Sequence, residues 1–458
     1  MLRRPIPLLA AGAAALACAA PAPASASQSQ FTIFEAPREM ASGDGALRAR
    51  TFDEIQAFGV RRMRILLYWN SVVRANNARS KPAALDETNP NSPGYDFSRY
   101  DAIMAEAKMR DIEVITTITG PVPRWATGRK SGHLFKPDRN RFERFVEAVG
   151  TRYGAQVKTW TIWNEPNQPQ FLLPQYVKRK PYSPFLYRAL YQAALQGLGA
   201  TGNGDDAVLA GETSPRGNSK ARGNSSFIVP PVTFAKLFFR GKKLKVSGYA
   251  HHPYTTKAGP FFKPSSKTDA TIGVLSRLTQ ELDRSSHHRR LGLFLTEFGI
   301  QSTPDPFVGV SETQQAEYRS ISERIAYDNP RVKAFSQYLM RDDTPRKGPR
   351  TDRYSGFESG LRFANGRAKL AYEGFRLPLV ADRAGARTVR LWGLVRPATG
   401  ATDVVVQSRD RAGYTDLATV RTDSRGYWTK RTKYRKGRVY RVKWTTFTGP
   451  KTRVYRAP

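Results

Sequence analysis

Cysteine is all but missing from this chain: Cys18 is the single one in 458 residues. It sits in a short apolar run near the N-terminus. A chain processed after Ala26 would carry none, which excludes disulfides, zinc–thiolate sites and a cysteine nucleophile. Histidine is scarce too, with five residues, four of them in the adjacent pairs His251-His252 and His287-His288. Neighbours on a strand point to opposite faces, so neither pair is a chelate, and the reading calls for no metal and no cofactor. Acidic residues are the third shortage. Asp and Glu number 38 against 74 Lys and Arg, a formal charge of +36. Such an excess speaks about solubility and partners rather than fold. It leaves an anionic envelope or an acidic polysaccharide open as a partner. With no recognisable nucleic-acid motif beside it, a specific nucleic acid is not expected. Past the first residues no apolar stretch is long enough to span a bilayer.

What is present begins with an export signal at residues 1–26. Arg3 and Arg4 supply the positive start, Leu8 to Ala19 the apolar run, and Ala24-Ser25-Ala26 a small-x-small cleavage site. The expected location is therefore secreted. Lipid anchoring through Cys18 is the lesser alternative, since Ala15-Leu16-Ala17 fits that kind of signal poorly.

From about Phe31 to Leu377, short apolar runs alternate with amphipathic ones. Strands are expected at Phe31–Phe34, Met63–Tyr68, Glu113–Ile118, Thr159–Trp163, Val208–Ala210, Val246–Ala250, Leu293–Thr296 and Ala334–Leu339. Their Val, Ile, Leu and aromatic content suits buried parallel strands. Helices are expected between them: Phe97–Met109, Arg139–Tyr153, one opened by Ser183-Pro184, and one after Ser311 running to Tyr327. Eight strands each followed by a helix indicate an α/β fold, a (β/α)₈ TIM barrel over 31–378, with a doubly wound open sheet as the alternative. Loop 214–231, rich in Ser, Pro, Gly and Asn, reads as a mobile segment of the top face. After Leu377 short alternating runs separated by Gly, Pro and Asp turns indicate a small all-β sandwich over 386–458. Residues 381–458 hold 19 Lys and Arg against 5 Asp and no Glu, 19 − 5 = +14. This tail is expected either to hold the protein near an anionic glycan or envelope surface, or simply to cover the barrel.

Two carboxylates stand at strand ends. Glu165 lies in Trp163-Asn164-Glu165-Pro166-Asn167 after the fourth run, and Glu297 in Thr296-Glu297-Phe298 after the seventh. In a barrel both would face the mouth. A glycosidic bond is hydrolysed by such a pair, one acid protonating the leaving oxygen and the other supporting charge at the anomeric carbon. With these motifs in this order, the chain resembles the retaining β-glycosidases of glycoside hydrolase clan A, particularly families 5 and 39. The likeness covers about residues 31–378. It implies that Glu165 is the acid/base and Glu297 the nucleophile, with Asn164 bonding the sugar 2-hydroxyl. It further implies that Arg64 in Arg62-Met-Arg-Ile65 holds the nucleophile ionised. His252 and Tyr254 in His251-His-Pro-Tyr254 would serve the acid/base and the nucleophile respectively, and Trp125 in Pro123-Arg-Trp125 would face substrate. Ala371-Tyr-Glu-Gly-Phe375 resembles the closing helix of family 39 barrels. One position departs from the pattern. Where the clan has a Trp at the end of strand eight, this chain has Gln337 or Tyr338, and Gln337 would replace stacking by hydrogen bonding. Trp69, Trp160 and Trp163 suit either sugar stacking or barrel core, while Trp392, Trp428 and Trp444 suit sandwich core. The expected function is hydrolysis of a β-linked oligo- or polysaccharide with retention. The alternative is a glycan- or envelope-binding protein on the same barrel without turnover.

Overall fold

The computed structural model describes residues 27, 29–128, 132–218, 227–285 and 287–456. The signal at 1–26, with Cys18, lies outside the described residues, as does the 219–226 part of loop 214–231. Eight parallel strands close into a barrel: β1 (Phe31–Glu35), β2 (Arg62–Tyr68), β3 (Glu113–Thr119), β4 (Thr159–Ile162), β5 (Ala207–Thr213), β6 (Gly248–His251), β7 (Leu293–Leu295) and β8 (Val332–Tyr338). Each pairs with the next, and β1 pairs with β8 from Phe31↔Ala334 to Glu35↔Tyr338 to complete the circuit. The open-sheet alternative is thereby removed.

A helix follows each strand: α1 (Gly45–Ala57), α2 (Ser98–Met109), α3 (Arg139–Tyr153), α4 (Ser183–Ala200), α5 (Pro231–Phe238), α6 (Ser276–Asp283), α7 (Glu312–Tyr327) and α8 (Leu370–Arg376). Local chemistry sets their starts. Asp138 accepts from the N–H groups of Asn140 and Arg141 to open α3. Ser311 and Gln314 form a reciprocal capping box at α7. The α4 start differs from expectation. Tyr182 is the cap, and Ser183 is already helical, its hydroxyl donating to Gln175 Oε1 at 2.8 Å. Among the described residues no helix is long and apolar enough to cross a membrane.

The helices press apolar stripes against the strands. Phe142, Phe145, Val146 and Val149 of α3 are fully buried, and Phe145 stacks on Trp69 at 5.1 Å. Trp69, Trp160 and Trp163 have no exposed surface, so all three are core.

The C-terminal region is built from β9 (Leu379–Arg383), β10 (Thr388–Leu394), β11 (Asp403–Asp410), β12 (Gly413–Arg421), β13 (Tyr427–Lys433), β14 (Val439–Trp444) and β15 (Thr452–Tyr455), in the order β12-β11-β14-β15-β9-β10-β13. The sheet closes over one apolar core that includes Leu379, Leu391, Val406, Trp428, Tyr440 and Val442. It begins ahead of the expected 386: β9 pairs antiparallel with β10 and parallel with β15. The region is anchored to the barrel. Val380, Trp392, Leu394 and Tyr427 pack on Ile321 and Tyr327 of α7. Arg396 reaches Glu323 of α7, the Phe375 carbonyl at 2.8 Å and Thr32 Oγ1 of β1 at 3.1 Å. Burial works against the Glu323 charge, but Arg396 and Arg319 overcome it and hold its pKa below the ordinary value.

Candidate active site

The C-terminal ends of the barrel strands carry the ionisable groups. Glu35 ends β1, Arg64 lies in β2, Asn164 and Glu165 follow β4, Glu212 is in the last turn of β5, His252 follows β6, and Glu297 follows β7. The backbone is bent to aim them. Trp163, Glu165 and Glu212 have φ of 66°, 40° and 49°, left-handed conformations that cost about 1–3 kcal/mol each in non-glycine residues. Neighbouring strands hold those bends. Trp163 N–H donates to the Ile118 carbonyl at 2.8 Å and Glu165 N–H to the Glu212 carbonyl at 2.9 Å. Asn164 N–H donates to Thr119 Oγ1 at 3.0 Å. Gly120 lets the Trp163 ring in beside β3; a Cβ there would stand 2.7 Å from Cζ2.

Arg64 is wholly buried and joins five strands. Nη1 is 2.7 Å from Glu35 Oε2 and 3.1 Å from Glu297 Oε2. Nη2 is 2.6 Å from Asn164 Oδ1 and 3.2 Å from Glu212 Oε2. Nε donates to Thr117 Oγ1 at 3.0 Å. His252, also buried, places Nδ1 3.0 Å from Glu165 Oε1 and Nε2 2.6 Å from Glu212 Oε2. Both ring nitrogens meet carboxyl oxygens, and the doubly protonated ring can donate to each. Burial disfavours that cation, yet Glu297, Glu165 and Glu212 push its pKa up to about 10. Tyr254 hydroxyl donates to Glu297 Oε1 at 2.7 Å.

Four carboxyls therefore surround two cations, and environment separates them. Burial raises Glu165, with the nearby Glu297 charge adding to it and the His252 bond opposing. Burial raises Glu35 to about 8, since Arg64 offsets it only in part. Glu212 is brought down to about 2, because Arg64, His252 and Thr296 outweigh its burial. His252 Nδ1 lies 3.0 Å from Glu165 Oε1 and 3.6 Å from Glu297 Oε2, so those two oxygens are at most 3.0 + 3.6 = 6.6 Å apart. Two carboxyls thus face each other across a gap that a single reacting centre can span.

Three expected residues stand apart from that cluster. Gln337 faces outward from β8. It accepts from Arg319 of α7 at 2.9 Å and donates to the Ser359 carbonyl at 3.2 Å, so it is a structural residue and not a substrate contact. Tyr338 faces the mouth, its ring 6.4 Å from Tyr254 and 5.2 Å from Phe357. Trp125 is 4% exposed, packed edge-on against Trp69 with the Arg141 guanidinium 5.1 Å from its ring, and borders the cavity between the β2–α2 and β3–α3 loops. Glu35, Glu212, Gln168 and Phe357 were not among the expected site residues. Gln168 Nε2 donates to Glu165 Oε2. Phe357, 36% exposed, lines a cavity of about 420 Å³ beside Tyr254 with Phe307 and Val308. Glu35 and Glu212 carry the same signal that marks Glu165, an acid at the C-terminal end of a barrel strand.

Two solved structures superpose over nearly the whole chain. The monomeric beta-xylosidase from Caulobacter crescentus CB15 aligns with a TM-score of 0.56 and 16% identity, over 92% of this chain and 96% of that one. The family 39 glycoside hydrolase from Bacteroides cellulosilyticus WH2 aligns with a TM-score of 0.51 and 14% identity, over 89% and 80%. The chain shares their fold. The match includes the C-terminal sheet, since 92% coverage cannot be reached by the barrel alone. No protein-family model and no curated protein sequence matches the chain.

Proposed function

We propose that the protein is a retaining β-glycosidase, with Glu297 as nucleophile and Glu165 as acid/base. The observation that carries this reading is the sharing of His252 Nδ1 by Glu165 and Glu297. It limits the gap between their oxygens to 6.6 Å, which suits the roughly 5–5.5 Å spacing of retaining enzymes better than the wider spacing of inverting ones.

In the first step a Glu297 carboxylate oxygen bonds the anomeric carbon, the C1–O bond breaks, and the leaving oxygen takes the Glu165 proton. In the second step Glu165, now a carboxylate, takes a proton from water as the water oxygen displaces Glu297. The surroundings fit both halves. Burial keeps the Glu165 proton available. Arg64 and Tyr254 donate to Glu297 and orient it. Asn164 is fixed by Arg64 through Oδ1, which leaves its amide N–H₂ for a sugar hydroxyl next to the reacting carbon. The export signal read at 1–26 would place the substrate outside the cell.

Glu297→Gln and Glu165→Gln, assayed on a panel of aryl β-glycosides, test the roles. Glu297→Gln should lose at least about a thousandfold in kcat. Glu165→Gln should be slow in deglycosylation and partly restored by azide, a nucleophile that needs no base. Retention of most activity by either variant refutes the assignment.

A further inference from the structure

The mouth is flanked on both sides by cations, most of which form no ion pair within 4 Å among the described residues. On one side, the β2–α2 and β3–α3 loops enclose a cavity of about 370 Å³ lined by Arg79, Lys81, Lys136 and Arg141. Its one acid, Asp138, is occupied in capping α3. Arg141 is paired with Glu87 at 3.2 Å, but Arg79, Lys81 and Lys136 have no ion-pair partner among the described residues. The Lys136 ammonium rests instead between the rings of Phe135 and Tyr182, at 5.7 and 5.6 Å. On the other side, the 420 Å³ cavity beside Tyr254 contains Arg216 and Lys257 and no acid. Among the described residues, Lys257 Nζ donates to the Pro306 carbonyl at 3.3 Å.

Some barrel cations are paired, as Arg62 is with Glu113 and Arg152 with Asp101, and others, such as Lys236 and Arg240, are in no ion pair among the described residues. What sets the two cavities apart is their place, on loops that follow β2, β3, β5, β6 and β7 at the end of the barrel that holds Glu165 and Glu297. The basic groups of each cavity can pair with a negative group brought by the ligand.

We infer that the barrel mouth is built for an acidic glycan, with carboxylate-bearing sugar units seated against Arg79 and Lys136 on one side and Arg216 and Lys257 on the other. The inference rests on the glycosidase reading for the polymer's path, and it moves anion recognition from the basic tail to the mouth.

The test is binding, which does not depend on turnover. The Glu297→Gln full-length chain is titrated calorimetrically with a uronic-acid oligosaccharide and with its carboxyl-reduced, neutral counterpart. The acidic form should bind at least about tenfold tighter, and Arg79→Ala/Lys136→Ala should remove most of that preference. Two partly screened charge contacts are worth about that much. Arg435→Ala/Arg438→Ala in the tail should leave the preference intact. Equal affinity for the two glycans overturns the inference, as does a preference that survives the mouth substitutions or disappears with the tail ones. Failure of the glycosidase reading would appear separately, as an absence of aryl β-glycoside hydrolysis by the unsubstituted protein, without touching the binding result.

Discussion

Glu212→Gln is the perturbation that most directly probes how the ionisable cluster works. Gln is nearly isosteric, and its Oε1 can still accept from His252 Nε2, so the change removes charge rather than packing. His252 is held as a cation by Glu297, Glu165 and Glu212, with its pKa at about 10 against 6.5 for the free ring. That difference corresponds to about 5 kcal/mol of differential stabilisation at 1.36 kcal/mol per pH unit. Because the folded value is the higher one, this stability is complete below pH 6.5 and lost as pH rises toward 10. An opposite charge in direct contact typically moves a neighbour by about one to three pH units. Glu212→Gln should therefore bring the His252 titration down by that amount, into the range where it can be followed by NMR of the ring Cε1 proton, assigned by comparison with His252→Asn. The alkaline loss of stability should begin earlier by the same interval. Glu35, no longer sharing Arg64 with Glu212, should ionise more readily. If His252 titrates at the same pH in both proteins, or near 6.5 in the unsubstituted one, the charge-balance argument fails.

Two further outcomes concern the C-terminal region. Arg396→Met leaves Glu323 buried with only Arg319, and losing one partner of such a pair costs about 3–5 kcal/mol. Calorimetry should show a lower midpoint, and an unchanged one would remove Arg396 as the anchor. Deleting 386–458 should give insoluble protein rather than a free barrel, because β9 loses its partners and Val380, Ile321 and Tyr327 are uncovered. A soluble truncated protein with native helical signal would contradict that.

The barrel was legible because its buried strands are written as short runs rich in Val, Ile, Leu, Thr and aromatics, and all eight occur at the expected places, with ends displaced by a few residues. The β9 strand was not, because Leu379-Val-Ala-Asp-Arg383 follows α8 after only Leu377 and Pro378, so its short apolar start reads as the tail of the barrel rather than as the first strand of the next layer. The site divides in the same way. Glu165, Glu297, Arg64, His252 and Tyr254 stand in recognisable strings and are brought together. Glu35 and Glu212 sit in unremarkable ones, Phe34-Glu-Ala36 and Gly211-Glu-Thr213, and only the closed topology shows that they meet Arg64 and His252. Gln337 and Tyr338 could not be separated by position alone. Adjacent strand residues face opposite ways, so one of the two had to point away from the mouth, and the Arg319 bond on the outside claimed Gln337.

The Arg64 guanidinium has a consequence for how the chain reaches this state. Its partners come from β1, β3, β5, the turn after β4 and the residues after β7, so no contiguous fragment of the barrel satisfies it. A partly wound sheet carries a cation that must either stay hydrated or be sealed in without its counter-charges, and neither favours a compact half-barrel. Folding should therefore be disfavoured from pausing between the first strands and the last, and ring closure and assembly of the reactive groups become one cooperative event.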